Sequence, residues 1–239
     1  YKGSAMRNAL QKFLLFIKPD PQRKGIKRKS PGQSMVEFAI LLPILMILFS
    51  GMVEFGFMLN TYLSLLDATR QAARLCSNGQ PFLEVDTSTD PTTYVDDLDY
   101  SPNCANAVVD SLAPPSDPNA RQIVMDSVRD DVLVSVLSVS VTTDEDTGES
   151  AISLIQRHPE GTLFYSLYVN QLSAYTDPVI VEYMTQNGTA PVETGILIVE
   201  VYYGYKGILR LPWLDMFMSP DDPVMLHAST IMPLVAAKP

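Results

Sequence analysis

The stretch that determines the fold of this chain is Gly32–Gly79, GQSMVEFAILLPILMILFSGMVEFGFMLNTYLSLLDATRQAARLCSNG. It contains an apolar run of 22 residues from Phe38 to Leu59, in which the only formally charged residue is Glu54. As an α-helix this run measures about 33 Å, which is enough to cross a hydrocarbon core about 30 Å thick. Length and composition therefore predict a transmembrane helix at 38–59 rather than a buried helix of a water-soluble domain.

The apolar run separates two parts of opposite charge. Residues 1–32 carry nine Lys or Arg and one Asp, a net charge of +8, whereas the rest of the chain carries eight basic and 26 acidic residues, a net charge of −18. Because basic residues beside a span stay in the cytoplasm, we expect a single-pass protein of the inner membrane with a cytoplasmic N-terminus and an extracytoplasmic C-terminal domain. The acidic domain argues against a nucleic-acid partner, since phosphate contacts require Lys and Arg.

A basic segment followed by an apolar run is typical of a cleavable secretory signal as well as of a permanent anchor. A secretory signal has a shorter apolar core, and a small-residue cleavage site follows it. Here no A-x-A pattern follows the run, and the helical pattern continues beyond Leu59 without Gly or Pro as far as Gly79. We therefore predict a permanent anchor in contact with membrane lipid.

The continuation of the helix is amphipathic. Its less polar face recurs at three- and four-residue steps: Tyr62, Leu65, Thr69, Ala72 and Cys76. This spacing predicts a helix that leaves the bilayer and packs on a soluble domain. The chain then divides into a basic cytoplasmic leader at 1–32, a long helix at 33–79 and an acidic extracytoplasmic domain at 80–239. In the leader, residues 4–17 form either an amphipathic helix on the cytoplasmic leaflet or a solvated, disordered segment.

The domain at 80–239 is predicted to be an α+β domain on an antiparallel sheet, and its first part is a long surface loop at 79–118. Val132–Thr143 alternates with period two, and a turn at 144–150 leads to a return strand at 151–157. Two more segments rich in β-branched residues predict strands, Thr194–Tyr205 and 224–236. Short helical elements are predicted at 105–112, at 120–131 after an Asn119 cap and at 163–174, and another short element is predicted near 179–185.

The loop before the last strand is unusually apolar. Its apolar residues are Leu211, Pro212, Trp213, Met216, Phe217 and Met218. Two interpretations are open: the loop faces lipid or a partner subunit, or it covers the open end of the sheet.

The two cysteines, Cys76 and Cys104, both lie outside the membrane in this topology. Because that compartment is oxidising, we expect them to form a disulfide that tethers the surface loop to the end of the long helix. Closing a loop of this size stabilises a protein by about 3 kcal/mol in the chain-entropy model.

The sequence contains no motif that indicates catalysis. A P-loop, H-E-x-x-H, C-x-x-C and a nucleophile elbow are all missing, and His158 and His227 are far apart. His227 is expected to be a strand residue with its hydrogen bonds satisfied. The aspartates Asp96, Asp97 and Asp99 would suit calcium, but a solvated acidic loop is the commoner interpretation of such a cluster. We predict a protein that is not an enzyme and that needs neither a metal nor a cofactor.

The junction before the apolar run carries a recognisable pattern. A Gly, four residues and then a Glu at the edge of an apolar helix is typical of type IV prepilins and pseudopilins. The whole stretch resembles the TadE-like family of minor pilins of tight-adherence (Flp) pili. The matching positions are Gly32, Glu37, Phe38, Pro43, Gly51, Glu54, Phe55, Gly56, Ala68, Arg70, Ala72, Ala73 and Arg74. The order of strands in the C-terminal domain is similar to that family only in general pattern.

The resemblance implies a processing site for a prepilin peptidase. Cleavage would fall between Gly32 and Gln33, so that Glu37, which precedes Phe38, would be the fifth residue of the mature chain. The resemblance further implies that this carboxylate pairs with the N-terminal amine of a neighbouring subunit, and opposite charges do attract strongly in a low dielectric. The alternative is that Glu37 lies in the headgroup region beside Lys27–Lys29.

Several residues of the span are candidates for contact with other pilin or membrane-protein subunits. Pro43 predicts a mild kink, and Gly51 and Gly56 leave a smooth surface that permits close helix approach, although such residues are also ordinary in membrane helices. Glu54 is expected to snorkel to the outer interface rather than to pair.

Three functional hypotheses follow. The first is a structural minor pilin or pseudopilin that acts in assembly of an Flp-type pilus. The second is an uncleaved TadE-like accessory or scaffold subunit of another membrane complex, for which the apolar loop at 211–218 is the motivation. The third is an anchored extracytoplasmic enzyme or ligand-binding domain, which would need a pocket of converging carboxylates that no pattern in the sequence indicates.

Overall fold

The structure is a computed structural model that describes residues 31–86, 93–117, 119, 122–143, 150–156, 164–185, 194–213 and 221–234. Its elements in chain order are α1 (Pro31–Ser77), β1 (Phe82–Asp86), β2 (Thr93–Asp96), α2 (Tyr100–Leu112), β3 (Asp131–Thr143), β4 (Ser150–Gln156), β5 (Tyr165–Ser166), α3 (Asp177–Thr185), β6 (Thr194–Tyr205) and β7 (Val224–Leu234). The fold is α+β, as predicted. The chain divides into two compact units, residues 1–48 and 49–239.

The described part of the first unit is the beginning of α1, which continues as helix through Pro43. All its described side chains from Ser34 to Leu48 are exposed, although most of them are large and apolar. Helix α1 is long and apolar enough to cross a membrane, and only 6% of its most apolar stretch is buried. The core helix of a water-soluble protein buries such side chains. The predicted helix at 4–17 lies outside the described residues.

The second unit is built on an antiparallel sheet with the strand order β4-β3-β6-β7, and β5 pairs with the beginning of β3. Strands β3 and β4 pair from Leu137↔Gln156 to Thr143↔Ser150, which confirms the predicted hairpin, whose turn lies outside the described residues. Strand β6 pairs with β3 on one side and with β7 on the other. The two central strands, β3 and β6, are therefore two that the sequence predicts from their many β-branched residues.

Both faces of the sheet are covered, and the period-two alternation of the strands decides which residues face each layer. On β3, Val132, Val134 and Val136 belong to the core that contains α1 and α2. Odd-numbered residues of β3 face the opposite side, and of these Leu137 and Val139 belong to a second core with Ile180 of α3. Because both faces of β3 are buried, its sequence is a nearly continuous apolar run. Each fully buried Val or Leu stabilises the fold by about 1.5–3 kcal/mol.

Helix α1 packs on the sheet through small residues. Ala68, Ala72 and Ala73 are fully or almost fully buried, and the Thr69 hydroxyl lies 2.9 Å from the Thr230 hydroxyl of β7. The end of α1 is joined to α2 by the Cys76–Cys104 disulfide, with a Cα–Cα distance of 5.9 Å. Both the predicted helix face and the predicted disulfide are confirmed.

Several predictions of local structure are wrong. Residues 122–130 are not helical, because the Asp130 carboxylate accepts the backbone N–H of Asp126 at 2.7 Å and holds a turn instead. Residues 164–174 form β5 and irregular backbone, not a helix. The surface loop at 79–118 contains the β1–β2 hairpin, and α2 begins five residues earlier than predicted. The short element predicted near 179–185 is the helix α3, which begins at an Asp-Pro pair suited to a first turn.

Candidate functional site on the long helix

The most unusual group of α1 is the carboxylate of Glu54, which is buried with only 1% of the residue exposed. Its Oε1 atom accepts hydrogen bonds from the Tyr205 hydroxyl and from the Ile208 backbone N–H at 2.7 Å. Its Oε2 atom accepts the Leu209 backbone N–H at 2.9 Å. Hydrogen bonds to a charged acceptor are stronger than neutral ones, so Glu54 holds the end of β6 and the chain that follows it against the helix.

The backbone after β6 is shaped for this contact. Gly207 has a positive φ of 69°, which glycine adopts without a steric penalty, and Arg210 also has a positive φ, of 46°. These conformations turn the chain so that two consecutive N–H groups, those of Ile208 and Leu209, point at one carboxylate. We call residues 206–213 the 206–213 loop.

A second contact lies one helical turn before Glu54. The Trp213 indole Nε1–H donates a hydrogen bond to the Ser50 hydroxyl at 3.0 Å, and Ser50 is buried. Residues four apart lie on the same face of a helix. Glu54 therefore binds the first half of the loop and Ser50 binds its last residue on the same side of α1.

The arrangement around Glu54 is suited to holding structure rather than to chemistry. Both carboxylate oxygens are occupied by donors from the same chain, and a general acid or base must reach a substrate proton. The prediction that Glu54 snorkels to the interface is wrong, because its charge is compensated inside the protein. The sequence alone did not indicate this, since its partners are more than 150 residues away.

On the sheet face that packs α3, two buried carboxylates bind the segment 166–174. Asp131 accepts hydrogen bonds from the Ser166 hydroxyl at 2.7 Å and from three backbone N–H groups, those of Tyr168, Asn170 and Gln171. These bonds replace the hydrogen bonds of a helix, which explains why the predicted helix at 163–174 does not form.

The second of these carboxylates is Glu200, which is fully buried in β6. It accepts hydrogen bonds from the Ser173 hydroxyl, from the Ala174 N–H at 3.1 Å and from the Tyr202 hydroxyl at 3.3 Å, and it lies 3.0 Å from His227 Nε2. The His227 ring stacks on Tyr202 with a centroid distance of 4.4 Å, which confirms that His227 is a satisfied strand residue.

These groups do not form a nucleophile–base pair. The Ser173 hydroxyl contacts Glu200 and not the imidazole, whereas serine nucleophiles require a base within hydrogen-bond reach. Burial and the negative charge of Glu200 raise the pKa of Tyr202 to about 12, so the phenol stays protonated and donates. His158 lies outside the described residues. A shallow cavity beside α3 is lined by Ser135, Leu137, Tyr175, Thr176, Asp177, Pro178 and Ile180, and Asp177 is the only charged residue among these described lining residues.

A third cluster lies at the start of β3. Asp130 accepts the Gly204 N–H at 2.8 Å, and burial raises the pKa of its carboxyl. Nearby, a hydrogen bond from Lys206 lowers the pKa of Asp126. In the described part of the chain, no group of three or more His, Cys, Asp or Glu side chains is placed to hold a metal ion, and Asp97 accepts the Asp99 N–H at 3.0 Å.

The residues predicted for processing and subunit contact lie elsewhere on α1. Glu37 and Phe38 lie on the surface of the helix in the first unit. At Gly32, Gly51 and Gly56, an added Cβ would meet no neighbouring atom within 4 Å, so packing within the chain does not require glycine there. The roles predicted for these residues and for Gln33, in processing and in subunit contact, involve other molecules and stay predictions.

Comparison with known proteins identifies one part of the chain. The sequence profile of the TadE-like protein family matches residues 32–74. No curated protein and no solved structure matches the chain. The matched segment is less than a fifth of the 239 residues, and it contains Ser50 and Glu54 but not the residues that bind them. The match over residues 32–74 confirms the resemblance of this segment to the TadE-like family.

Proposed function

We propose that this chain is a membrane-anchored, non-enzymatic structural subunit that acts as a minor pilin or pseudopilin in assembly of a tight-adherence pilus. The observation that carries the proposal is the coincidence of two features: the TadE-like match at 32–74 falls on α1, and the side chains of 34–49 in that helix are mostly apolar and all exposed. An apolar helix surface of this length is suited to lipid and to neighbouring helices.

The proposal assigns an orientation and partners. The basic leader at 1–32 is cytoplasmic, and the domain that carries the Cys76–Cys104 disulfide is extracytoplasmic, in the compartment where disulfides persist. The partners are membrane lipid, other pilin subunits that contact the exposed surface around Glu37 and Gly51, and a prepilin peptidase that cleaves after Gly32.

The proposal is tested by mass spectrometry of the N-terminus of the native protein, isolated from membranes and from sheared pili. A mature N-terminus at Gln33, together with recovery in the pilus fraction, is the expected result. Two variants are compared. Gly32→Leu replaces the small residue that the cleavage site requires, and Gly51→Leu makes the same change at a glycine of the same helix away from that site. Only the first is expected to accumulate in the unprocessed form.

A second function is favoured by the contacts of Glu54 and Ser50. Because the chain's own 206–213 loop covers one face of α1 at this level, that face is closed to a neighbouring helix. This supports an accessory or scaffold subunit of a membrane complex that keeps its leader and uses only its other helix faces. An intact leader in a stoichiometric complex without pilins would establish this function and exclude the first.

A further inference from the structure

The outer end of the membrane-crossing segment can be located from the packing of α1 in the second unit. Ser50, Glu54 and Thr61 are buried. Two of them, Ser50 and Glu54, fall inside the span that composition predicts at 38–59. The 206–213 loop has irregular backbone. Irregular backbone that faces lipid does not occur within the hydrocarbon layer, because its polar groups would lack partners there. The hydrocarbon layer must therefore end near Ser50 instead of Leu59.

The exposed surface at this level is nevertheless apolar. On the loop, Ile208 is 51% exposed and Trp213 is 37% exposed. On the uncovered side of α1, Met52 is 73% exposed and Phe55 is 52% exposed. Together these four residues form a belt around the helix, which we call the apolar belt. Apolar surface of this kind in contact with water marks an interaction site.

The chemistry of Trp213 identifies the environment that fits. Its ring presents apolar surface while its N–H is bound to Ser50, and tryptophan is enriched where the bilayer meets water because its ring is amphipathic. The backbone N–H groups of Ile208 and Leu209 are already bound by Glu54, so the loop can enter a layer poor in water without leaving these donors unsatisfied.

We propose that the apolar belt lies in the outer interface of the bilayer, with Trp213 as its anchor, so that the domain rests on the membrane surface and the span ends near Ser50. About 20 residues are needed to cross, which places the beginning of the span near Gly32, six residues before the predicted one. The occupant of the belt is the phospholipid of the outer leaflet, because the belt continues the exposed apolar surface of α1 at Phe49. The inference rests on the proposed membrane anchor.

The test uses the fact that Trp213 is the only tryptophan of the chain. The full-length protein is reconstituted into phosphatidylcholine vesicles that contain lipids brominated either near the carbonyl or near the bilayer centre, and tryptophan fluorescence is recorded with and without aqueous iodide. We expect bromines near the carbonyl to quench several-fold more than bromines near the centre, and iodide to quench weakly.

A matched control moves the tryptophan along the same helix. Leu75 is 67% exposed on α1, 25 residues beyond Ser50, which is about 37 Å at the helical rise. In the Trp213→Phe, Leu75→Trp protein, we expect strong quenching by iodide and none by brominated lipid.

The outcomes separate the inference from the proposed anchor. If the protein floats with the vesicles but iodide quenches Trp213 as strongly as the control, the belt is in water and the inference is wrong. Protection from both quenchers, which means burial in protein, also overturns it, and so does the strongest quenching by the deepest bromines. If the protein does not float with the vesicles after an alkaline wash, the proposed anchor itself fails.

Discussion

The Glu54 carboxylate of the long helix accepts a hydrogen bond from the Tyr205 hydroxyl at the end of β6, across 151 positions of sequence. The same carboxylate holds the two N–H groups that follow β6. One side chain of the segment that matches the TadE-like family thus connects the helix to the end of β6 and to the chain that follows it.

The first prediction concerns this carboxylate. Glu54→Ala leaves two partly buried backbone donors without their acceptor, so we expect the free energy of unfolding to fall by about 2 kcal/mol. Chemical denaturation of the full chain in detergent, followed by Trp213 fluorescence, measures the change. Glu37→Ala is the control, because it removes an exposed carboxylate of the same helix. Equal effects of the two variants would show that the hydrogen bonds of Glu54 do not hold the 206–213 loop on the helix.

The second prediction concerns the disulfide. Replacing both Cys76 and Cys104 with serine removes a covalent link between α1 and α2, and we expect a loss of about 3 kcal/mol because the unfolded chain gains freedom. Thermal unfolding of the variant measures this loss. Reduction of the unmodified protein should reproduce the shift of the midpoint, and a midpoint that is unchanged by a reducing agent would show that the disulfide does not contribute.

The third prediction concerns the carboxylate of Asp131. In Asp131→Asn an amide NH₂ replaces an acceptor that faces several donors, so the segment 166–171 should be released. Hydrogen exchange of the Tyr168, Asn170 and Gln171 amides should become at least about tenfold faster, which corresponds to the loss of about 1.4 kcal/mol.

Asp67→Asn makes the same chemical change at an exposed pair with Arg70, where the N–O distance is 3.8 Å and little stability is expected to depend on it. Protection of the three amides should be unaffected in this control. If Asp131→Asn also left their exchange unchanged, hydrogen bonding to Asp131 would not be what orders the segment.

The fourth prediction concerns alkaline pH. Burial raises the pKa of Tyr202 to about 12 from an ordinary value near 10, and burial also raises the pKa of Tyr100 and Tyr165. Between these values the unfolded chain loses the phenolic proton while the folded chain keeps it. The unfolded state then binds fewer protons than the folded state. The contribution of these tyrosines to the free energy of unfolding is therefore fully present below pH 10, and it is lost as the pH rises toward 12.

Tyr202→Phe removes one of these titrations and keeps the ring that stacks on His227. We expect a shallower alkaline decline for this variant in denaturation curves measured between pH 9 and 12. Tyr183→Phe, at an exposed tyrosine of α3, is the control that should keep the original slope. A Tyr202→Phe curve that is parallel to the original would contradict the proposed linkage.

Much of the fold was predictable because its signals are local. The apolar run, the amphipathic face that includes Leu65 and Ala72, and the period-two strands each depend on residues a few positions apart. The errors occurred where side chains bind backbone. Asp130 and Asp131 capture N–H groups that a helical pattern would have used internally, so the predicted helices at 120–131 and 163–174 are absent from the described residues.

The amino-acid sequence by itself determined the long apolar helix, the sheet-forming strands, the disulfide and the TadE-like character of residues 32–74, because each depends on composition or on short spacings along the chain. Only the tertiary structure decided that Glu54 and Ser50 hold the 206–213 loop and that Asp131 and Glu200 hold the segment 166–174. A buried carboxylate takes its partners from whatever elements the topology brings beside it, and no spacing along the chain specifies those partners in advance.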